Sequence, residues 1–312
     1  MIIVNPRSQD VRLALVLSGG GLRGAAHVGV LRQLVRHGIP LHAIVGVSAG
    51  AVIGAYYAAV GLTLDELLAD AESFRGRHLL AYSLNVQSGH RLERRFDTWC
   101  GVIPARLRQL ELATFDRLHH GVQRLGVVCH DVNSNRPCYF ATGADRGLRL
   151  HEAVRASASI PRLFPAISVQ CDGQELRLTD GGVSDDVPAA FARDPIIGAT
   201  HVIVSDARWL GRVPATDDAT VWIRARTAAT GTIWSPHRGL LATVRSGEAA
   251  VTDDVLGRIR RWFPNREPNG HPDQRIALPT AAAANASNAT PSITRLNADT
   301  NASSIAPRTA SR

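Results

Sequence analysis

The sequence predicts an α/β fold with a mostly parallel central sheet. Three observations predict it. Short uninterrupted apolar runs at residues 13–17, 42–45 and 201–205 have the length and content of strands buried on both faces. Segments of helical period follow the first two. A glycine cluster stands at each of those strand-to-helix junctions, where a chain leaving a sheet must turn sharply.

In order, Leu13-Ala14-Leu15-Val16-Leu17 is the first strand and Ser18-Gly19-Gly20-Gly21-Leu22-Arg23-Gly24 its loop. Residues 25–37 form a helix on the apolar stripe of Val30, Leu31, Leu34 and Val35, with Gly38 as the residue that ends it. Residues 42–45 are the second strand, Ser48 the turn, and 49–60 a helix apolar or small nearly all round, hence buried. Gly61 ends it, and Thr63-Leu64-Asp65-Glu66 has the form of a capping box that opens a third helix. Residues 74–120 read as helical, crowded with Arg91, Arg94, Arg95, Arg106 and Arg108 and with Phe96, Trp99 and Phe115 among them, a lid or cover. Strands at 126–131 and 137–140 flank the Asn133-Ser134-Asn135-Arg136 turn. A short helix at 151–158 stops near Pro161. A hairpin at 167–169 and 175–178 turns at Asp172-Gly173 and leads to Thr179-Asp180-Gly181-Gly182. Strands at 201–205 and 221–223 complete the order.

At 312 residues and 45% apolar composition, the chain can bury a sizeable core. Its basic residues are all arginine, giving a net charge of +8 that favours anionic partners. No basic run is interleaved with aromatics, so nucleic acid is not an expected partner. Cys100, Cys129, Cys138 and Cys171 make no C-x-x-C pair and no zinc spacing, so no metal is expected and the thiols read as idle in a reducing compartment. The N-terminal residues lack the pattern of a secretory leader, and no apolar stretch is long enough to span a bilayer. The expected location is cytoplasmic, at most peripheral to a membrane. From Asn265 onward Ala, Asn, Thr, Ser and Pro dominate, the composition of a disordered tail. Its N-x-S/T triplets at Asn285, Asn288 and Asn301 read as low-complexity coincidence. Just before it, Arg258-Ile259-Arg260-Arg261-Trp262-Phe263 has two readings, an anionic membrane contact or a helix end whose aromatics pack on the core.

Gly46-Val47-Ser48-Ala49-Gly50 is a G-x-S-x-G pattern between a strand and a helix, the setting of a nucleophilic serine. Gly19-x-Gly21-x-x-Gly24 fits a dinucleotide fingerprint in form, but that reading needs an acidic residue ending the second strand, and the next one is Asp65. A phosphate-binding Walker loop needs a lysine, which the chain lacks. What remains is a loop of free amides at a helix start, suited to holding an oxyanion. Histidines that could serve as base are many (His78, His90, His119, His120, His130, His151, His201 and His237), and none stands in a recognisable signature. Asp180 ends a strand before two glycines. It reads equally as an aimed carboxylate and as an ordinary Asp-Gly turn.

Four blocks of this sequence resemble the patatin-like phospholipases, close to their bacterial branch. They are residues 17–31, Gly46-Val47-Ser48-Ala49-Gly50-Ala51, Arg155-Ala156-Ser157-Ala158-Ser159-Ile160-Pro161 with Phe164-Pro165, and Asp180-Gly181-Gly182-Val183. The resemblance runs from about Leu13 to Arg193. It implies a three-layer α/β/α sandwich and a Ser–Asp dyad without histidine, with Ser48 as nucleophile and Asp180 as base. It implies an oxyanion loop of Gly19, Gly20, Gly21 and Arg23, motif glycines at Gly24, Gly46, Gly50, Gly181 and Gly182, lipid or other acyl-ester substrates, and no cofactor. An acyltransferase or a non-catalytic lipid-binding protein could share these blocks. Where the family commonly has asparagine two residues before a proline, Asp185-Asp186 precede Val187-Pro188. These carboxylates could disfavour the charged form of Asp180 or point away. The expected organisation is a lead-in (1–12), a catalytic domain (13–193), its C-terminal extension (194–264) and the tail (265–312).

Overall fold

Burial on both faces of the first strand decides the architecture. β1 (Leu13–Leu17) sends Leu13, Leu15 and Leu17 into one apolar cluster and Ala14 and Val16 into another, and all five are buried. Such a strand needs helices on both sides. The structure, a computed structural model, describes residues 11–87, 99–144, 146–214, 217–226 and 240–264.

β1 is followed by a 3₁₀ turn (Gly21–Ala25) and α1 (Ala26–Arg36), so the expected helix at 25–37 starts as a tighter coil. β2 (Ala43–Val47) runs two residues further than expected, up to Ser48. α2 (Ala49–Ala55) continues as a π turn (Tyr56–Val60) closed by left-handed Gly61. α3 (Leu64–Ser73) opens on a complete capping box, with Glu66 N–H donating to Thr63 Oγ1 and Thr63 N–H to Glu66 Oε2. α4 (Gly76–Gln87) and α5 (Ile103–Glu111) are helices of the arginine-rich stretch. Arg91, Arg94, Arg95 and Phe96 lie outside the described residues, as does the chain from Asn265 on. Then come β3 (Arg124–Asp131), β4 (Arg136–Ala141), α6 (Leu150–Ser157), β5 (Ile167–Cys171), β6 (Gln174–Asp180), α7 (Ala189–Arg193), β7 (His201–Asp206), β8 (Thr220–Arg224), α8 (Leu241–Ala249) and α9 (Asp253–Arg260).

The eight strands form one sheet. β1 pairs in parallel with β2 and β7, β2 with β3, and β7 with β8. β4 runs antiparallel along β3, and β5 and β6 form the expected antiparallel hairpin. One face carries α1, α2, α3, α5, α6, α8 and α9. The other is covered by the short α7 and residues near it, through Phe191, Ala192 and Ile197. The helical layers are therefore unequal. α1 and α8 touch backbone to backbone. A Cβ at Gly29 would lie 2.0 Å from Val244 O, and one at Gly247 would lie 2.0 Å from Ala26 O.

The sheet forks, and the fork positions the site. β3 gives residues Arg124–Val128 to β2, ending in the Val47↔Val128 pair. The next residues along it, Cys129 to Asp131, pair with β6, beginning with Cys129↔Asp180. The end of β2 and the end of β6 thus meet beside β3, and Ser48 and Asp180 meet with them.

The segment at 258–263 packs on the core. Ile259 is buried, Trp262 Nε1 donates to Asp218 O at 2.8 Å, and the Trp262 ring lies 4.9 Å from that of His201.

Candidate active site

Ser48 stands in the turn between β2 and α2 with φ 54° and ψ −123°. A non-glycine residue there carries backbone strain of about 1–3 kcal/mol. Its neighbours hold it. Ser48 N–H donates to Ser157 Oγ at 2.9 Å, and Ser157 Oγ–H donates to Val128 O at 2.6 Å. The glycines around it permit close approach. A Cβ at Gly50 would sit 2.2 Å from Leu17 O, one at Gly46 would sit 2.5 Å from the Gly50 carbonyl, and one at Gly24 would sit 2.5 Å from Ala49 Cβ. The start of α2 can therefore press against β1 and the 3₁₀ turn, its open amides beside Ser48.

Ser48 Oγ–H donates to Asp180 Oδ2 at 2.6 Å. Both residues are buried. Asp180 accepts a second bond at Oδ1 from Gly182 N–H, at 2.8 Å. Its own N–H donates to Ser159 O at 3.1 Å, and Thr179 Oγ1–H donates to the same carbonyl at 2.7 Å. Residues 157–159 thus tie serine and aspartate into one frame. Gly181 lies so close to β3 that a Cβ would be 2.2 Å from Val128 O. Burial pushes the Asp180 carboxyl above the usual carboxylate range, against the pull of the bonds from Ser48 and Gly182.

The adjacent carboxylates turn to partners of their own. Asp185 accepts from the Tyr139 hydroxyl at 3.1 Å, and Asp186 pairs with Arg208 at 3.2 Å. No histidine among the described residues is hydrogen-bonded to Ser48 or Asp180. His120 Nε2 reaches Leu62 O and His201 Nδ1 reaches Thr200 Oγ1, while His90 and His237 lie outside the described residues.

The glycine loop lies against Ser48, with a Cβ at Gly19 falling 3.8 Å from Ser48 Cβ. Gly19 N–H donates to Asp186 O at 3.0 Å, and Arg23 N–H donates to Gly20 O at 3.2 Å. The Arg23 side chain turns to Ala207 O, at 3.1 Å. Gly19 and Arg23 therefore shape the loop, and the amides of Gly20 and Gly21 have no hydrogen-bond partner among the described residues. Behind the loop lies a residue that sequence reasoning passed over. His27 is fully buried, its Nε2–H donating to Ser18 O at 3.0 Å and its Nδ1 accepting from Ser205 Oγ at 2.8 Å. Burial holds its pKa down at about 4. The signal for it was a lone histidine on the apolar side of α1, the same signal a merely buried histidine gives.

A cavity of about 370 Å³ opens at Gly21 and Ser48. It follows α2 past Val52 and Ile53 to Tyr56 and is walled by α3, α4, α5 and α6. Its lining is mostly apolar, with Arg155 and Ser159 on the side of α6 and a polar group where Asp70, Arg106, Tyr56 and Tyr82 meet. Arg106 grips Asp70 with two bonds, Nε to Oδ2 at 2.7 Å and Nη2 to Oδ1 at 3.0 Å. Neither residue was singled out for function from sequence. Among the described residues no group of three or more His, Cys, Asp or Glu could hold a metal ion.

Residues 15–193, more than half of the chain, match the family described as patatin-like phospholipase. The chain belongs to that family. It is similar to an uncharacterized NTE family protein of Mycobacterium tuberculosis, 32% identical over 195 residues that cover 61% of this chain and 47% of that protein. It is also similar to lysophospholipase nte1 of Aspergillus fumigatus, 32% identical over 186 residues that cover 56% of this chain and 11% of that protein. The chain thus spans less than half the length of these relatives. VipD of Legionella pneumophila, known as a crystal structure, aligns with TM-score 0.45 and 13% identity over 80% of this chain and 67% of that one. In this chain the forked sheet joins Ser48 and Asp180, both of which lie within the matched residues.

Proposed function

We propose that this patatin-like protein is a serine acyl hydrolase that cleaves lipid esters through a Ser48–Asp180 dyad and an acyl-enzyme. The observation that carries the reading is the 2.6 Å bond from Ser48 Oγ to Asp180 Oδ2, beside a mostly apolar cavity that Ser48 lines. Asp180 takes the Ser48 proton as Oγ attacks the ester carbonyl, giving a tetrahedral oxyanion. The amides of Gly20 and Gly21, with those opening α2, hold that oxyanion, each such donor worth ~10²–10³ in rate. Collapse expels the alcohol, which takes the proton from Asp180, and leaves the acyl group on Ser48. Water, deprotonated by Asp180, then attacks the acyl-enzyme and releases the acid. The raised pKa of Asp180 suits a group that both accepts and returns a proton. The acyl chain lies along α2, where Val52 and Ile53 supply apolar contact.

Incubation with p-nitrophenyl esters, lysophospholipids and phospholipids, with products read by mass spectrometry, tests the proposal. Free fatty acid released by the native protein and not by Ser48→Ala supports hydrolysis. Acyl groups found only on an added alcohol or lysolipid would make the protein a transferase. Lipid binding without turnover would make it a binding protein.

A further inference from the structure

The loop after β7 opens Ala207-Arg208-Trp209-Leu210-Gly211-Arg212-Val213-Pro214, a stretch with no acidic residue, and Asp217-Asp218 stand at its far end, before β8. Trp209 is 56% exposed, Leu210 78% and Val213 40%. A fourth apolar side chain, Val183 at 53% exposure, follows the Asp180-Gly181-Gly182 turn. Both segments border the active site. Ala207 N–H donates to Ser18 Oγ at 2.9 Å, Arg23 Nε donates to Ala207 O, and Arg208 joins the loop to Asp186.

The loop stands on a rigid root. Asp206 is buried between Arg208 and Arg224, and Arg224 Nη1 reaches up to Gly211 O at 2.8 Å. Burial would raise the Asp206 pKa, but hydrogen bonds from the two arginines outweigh it, so the carboxyl stays ionised. Asp206 and Asp186 together offset Arg208 and Arg224, which leaves exposed Arg212 and half-buried Arg23 at the rim. The Arg23 guanidinium lies 5.7 Å from the centre of the Trp209 ring. A braced loop that holds a tryptophan and a leucine in water, edged by cations, fits an anionic lipid surface. The aromatic ring sits at headgroup depth, the aliphatic side chain enters the acyl boundary, and the arginines meet lipid phosphates.

We propose that the Trp209–Leu210 loop and Val183 form the docking face through which the protein sits on anionic lipid surfaces, with Ser48 facing the membrane. The inference rests on the lipid-ester reading of the site. It also moves membrane contact away from residues 258–263, whose tryptophan is pinned to the core.

The test uses the full chain in sedimentation with vesicles of phosphatidylcholine alone or with added phosphatidylglycerol. The native protein is expected to sediment with the anionic vesicles, and Leu210→Ser/Arg212→Ser and Trp209→Ala each to weaken that binding by roughly tenfold. Leu210→Ser/Arg212→Ser is expected to keep its turnover of a soluble short-chain p-nitrophenyl ester and to lose turnover of the same acyl group presented in vesicles. Sedimentation that ignores anionic lipid, or variants that bind as well as the native chain, would overturn the proposal. So would a dimer in solution that the variants abolish, which would assign the face to a second copy. Vesicle binding with no turnover of either ester would uphold the docking face while sinking the hydrolase reading.

Discussion

The Asp180 carboxyl is held above its ordinary range by burial, and two consequences follow. As the proposed base it must be ionised, so kcat/KM for a soluble ester should fall with decreasing pH at a value above the usual carboxylate pKa of about 4. An acid limb at or below that value would contradict the assignment. For stability the sign is opposite. A carboxyl whose folded pKa exceeds its unfolded one binds more protons when folded, so the fold loses stability as pH rises through that window. Asp180→Asn removes the charge and should raise the Tm at neutral pH by a few degrees (~1 kcal/mol) while abolishing turnover. His27 works the other way. Its pKa is depressed to about 4, so the unfolded chain takes up the proton first. Stability should be full above the unfolded value of about 6.5 and fall by ~3 kcal/mol toward pH 4, a loss visible in urea unfolding and missing from His27→Gln. Ser48 stood out in sequence between a strand and a helix, whereas Asp180 alone read equally as a turn, and only the resemblance of its block paired it with Ser48. His27, Ser157 and Ser205 were not legible, because a polar residue on an apolar element looks the same whether it braces a loop or only fills space.

At the scale of elements, local signals carried furthest. The Thr63 capping box and the Asp172-Gly173 hairpin are written in a few consecutive residues, and they fold as written. The fork in the sheet is not local. It depends on β3 pairing with β6, whose partner residues lie some fifty positions away in sequence, and no short pattern encodes that register. The segment at 49–60 holds no proline, and Gly54 before Tyr56 is tolerated in a helix, so the change into a π turn at Tyr56 was equally hidden. α3 and α5 are joined through the cavity wall by Asp70 and Arg106, whose side chains are 21% and 17% exposed. Removing one partner of such a pair strands the other charge. Arg106→Leu alone should cost ~2 kcal/mol or more in denaturant unfolding, and Asp70→Leu/Arg106→Leu should cost less than the single change. Equal or additive losses would mean that the pair contributes as two separate contacts.

For the whole molecule, the candidate site lies well before residue 265, and the residues from there on have a composition too poor in large apolar side chains to build a core. A chain ended after Pro264 should keep its Tm and ester turnover, and a loss of either would show that later residues belong to the domain. In the proposed dyad the fork sets Ser48 as nucleophile against Asp180 as base, with no histidine between them. A fluorophosphonate probe, located by mass spectrometry after digestion, tests it most directly. Native protein should be labelled covalently at Ser48 and Ser48→Ala not at all, and turnover should fall by several powers of ten in folded Asp180→Asn. Labelling and turnover should be retained in every folded single histidine variant. A folded native protein that takes no label, or a histidine variant as inactive as Asp180→Asn, would contradict the dyad.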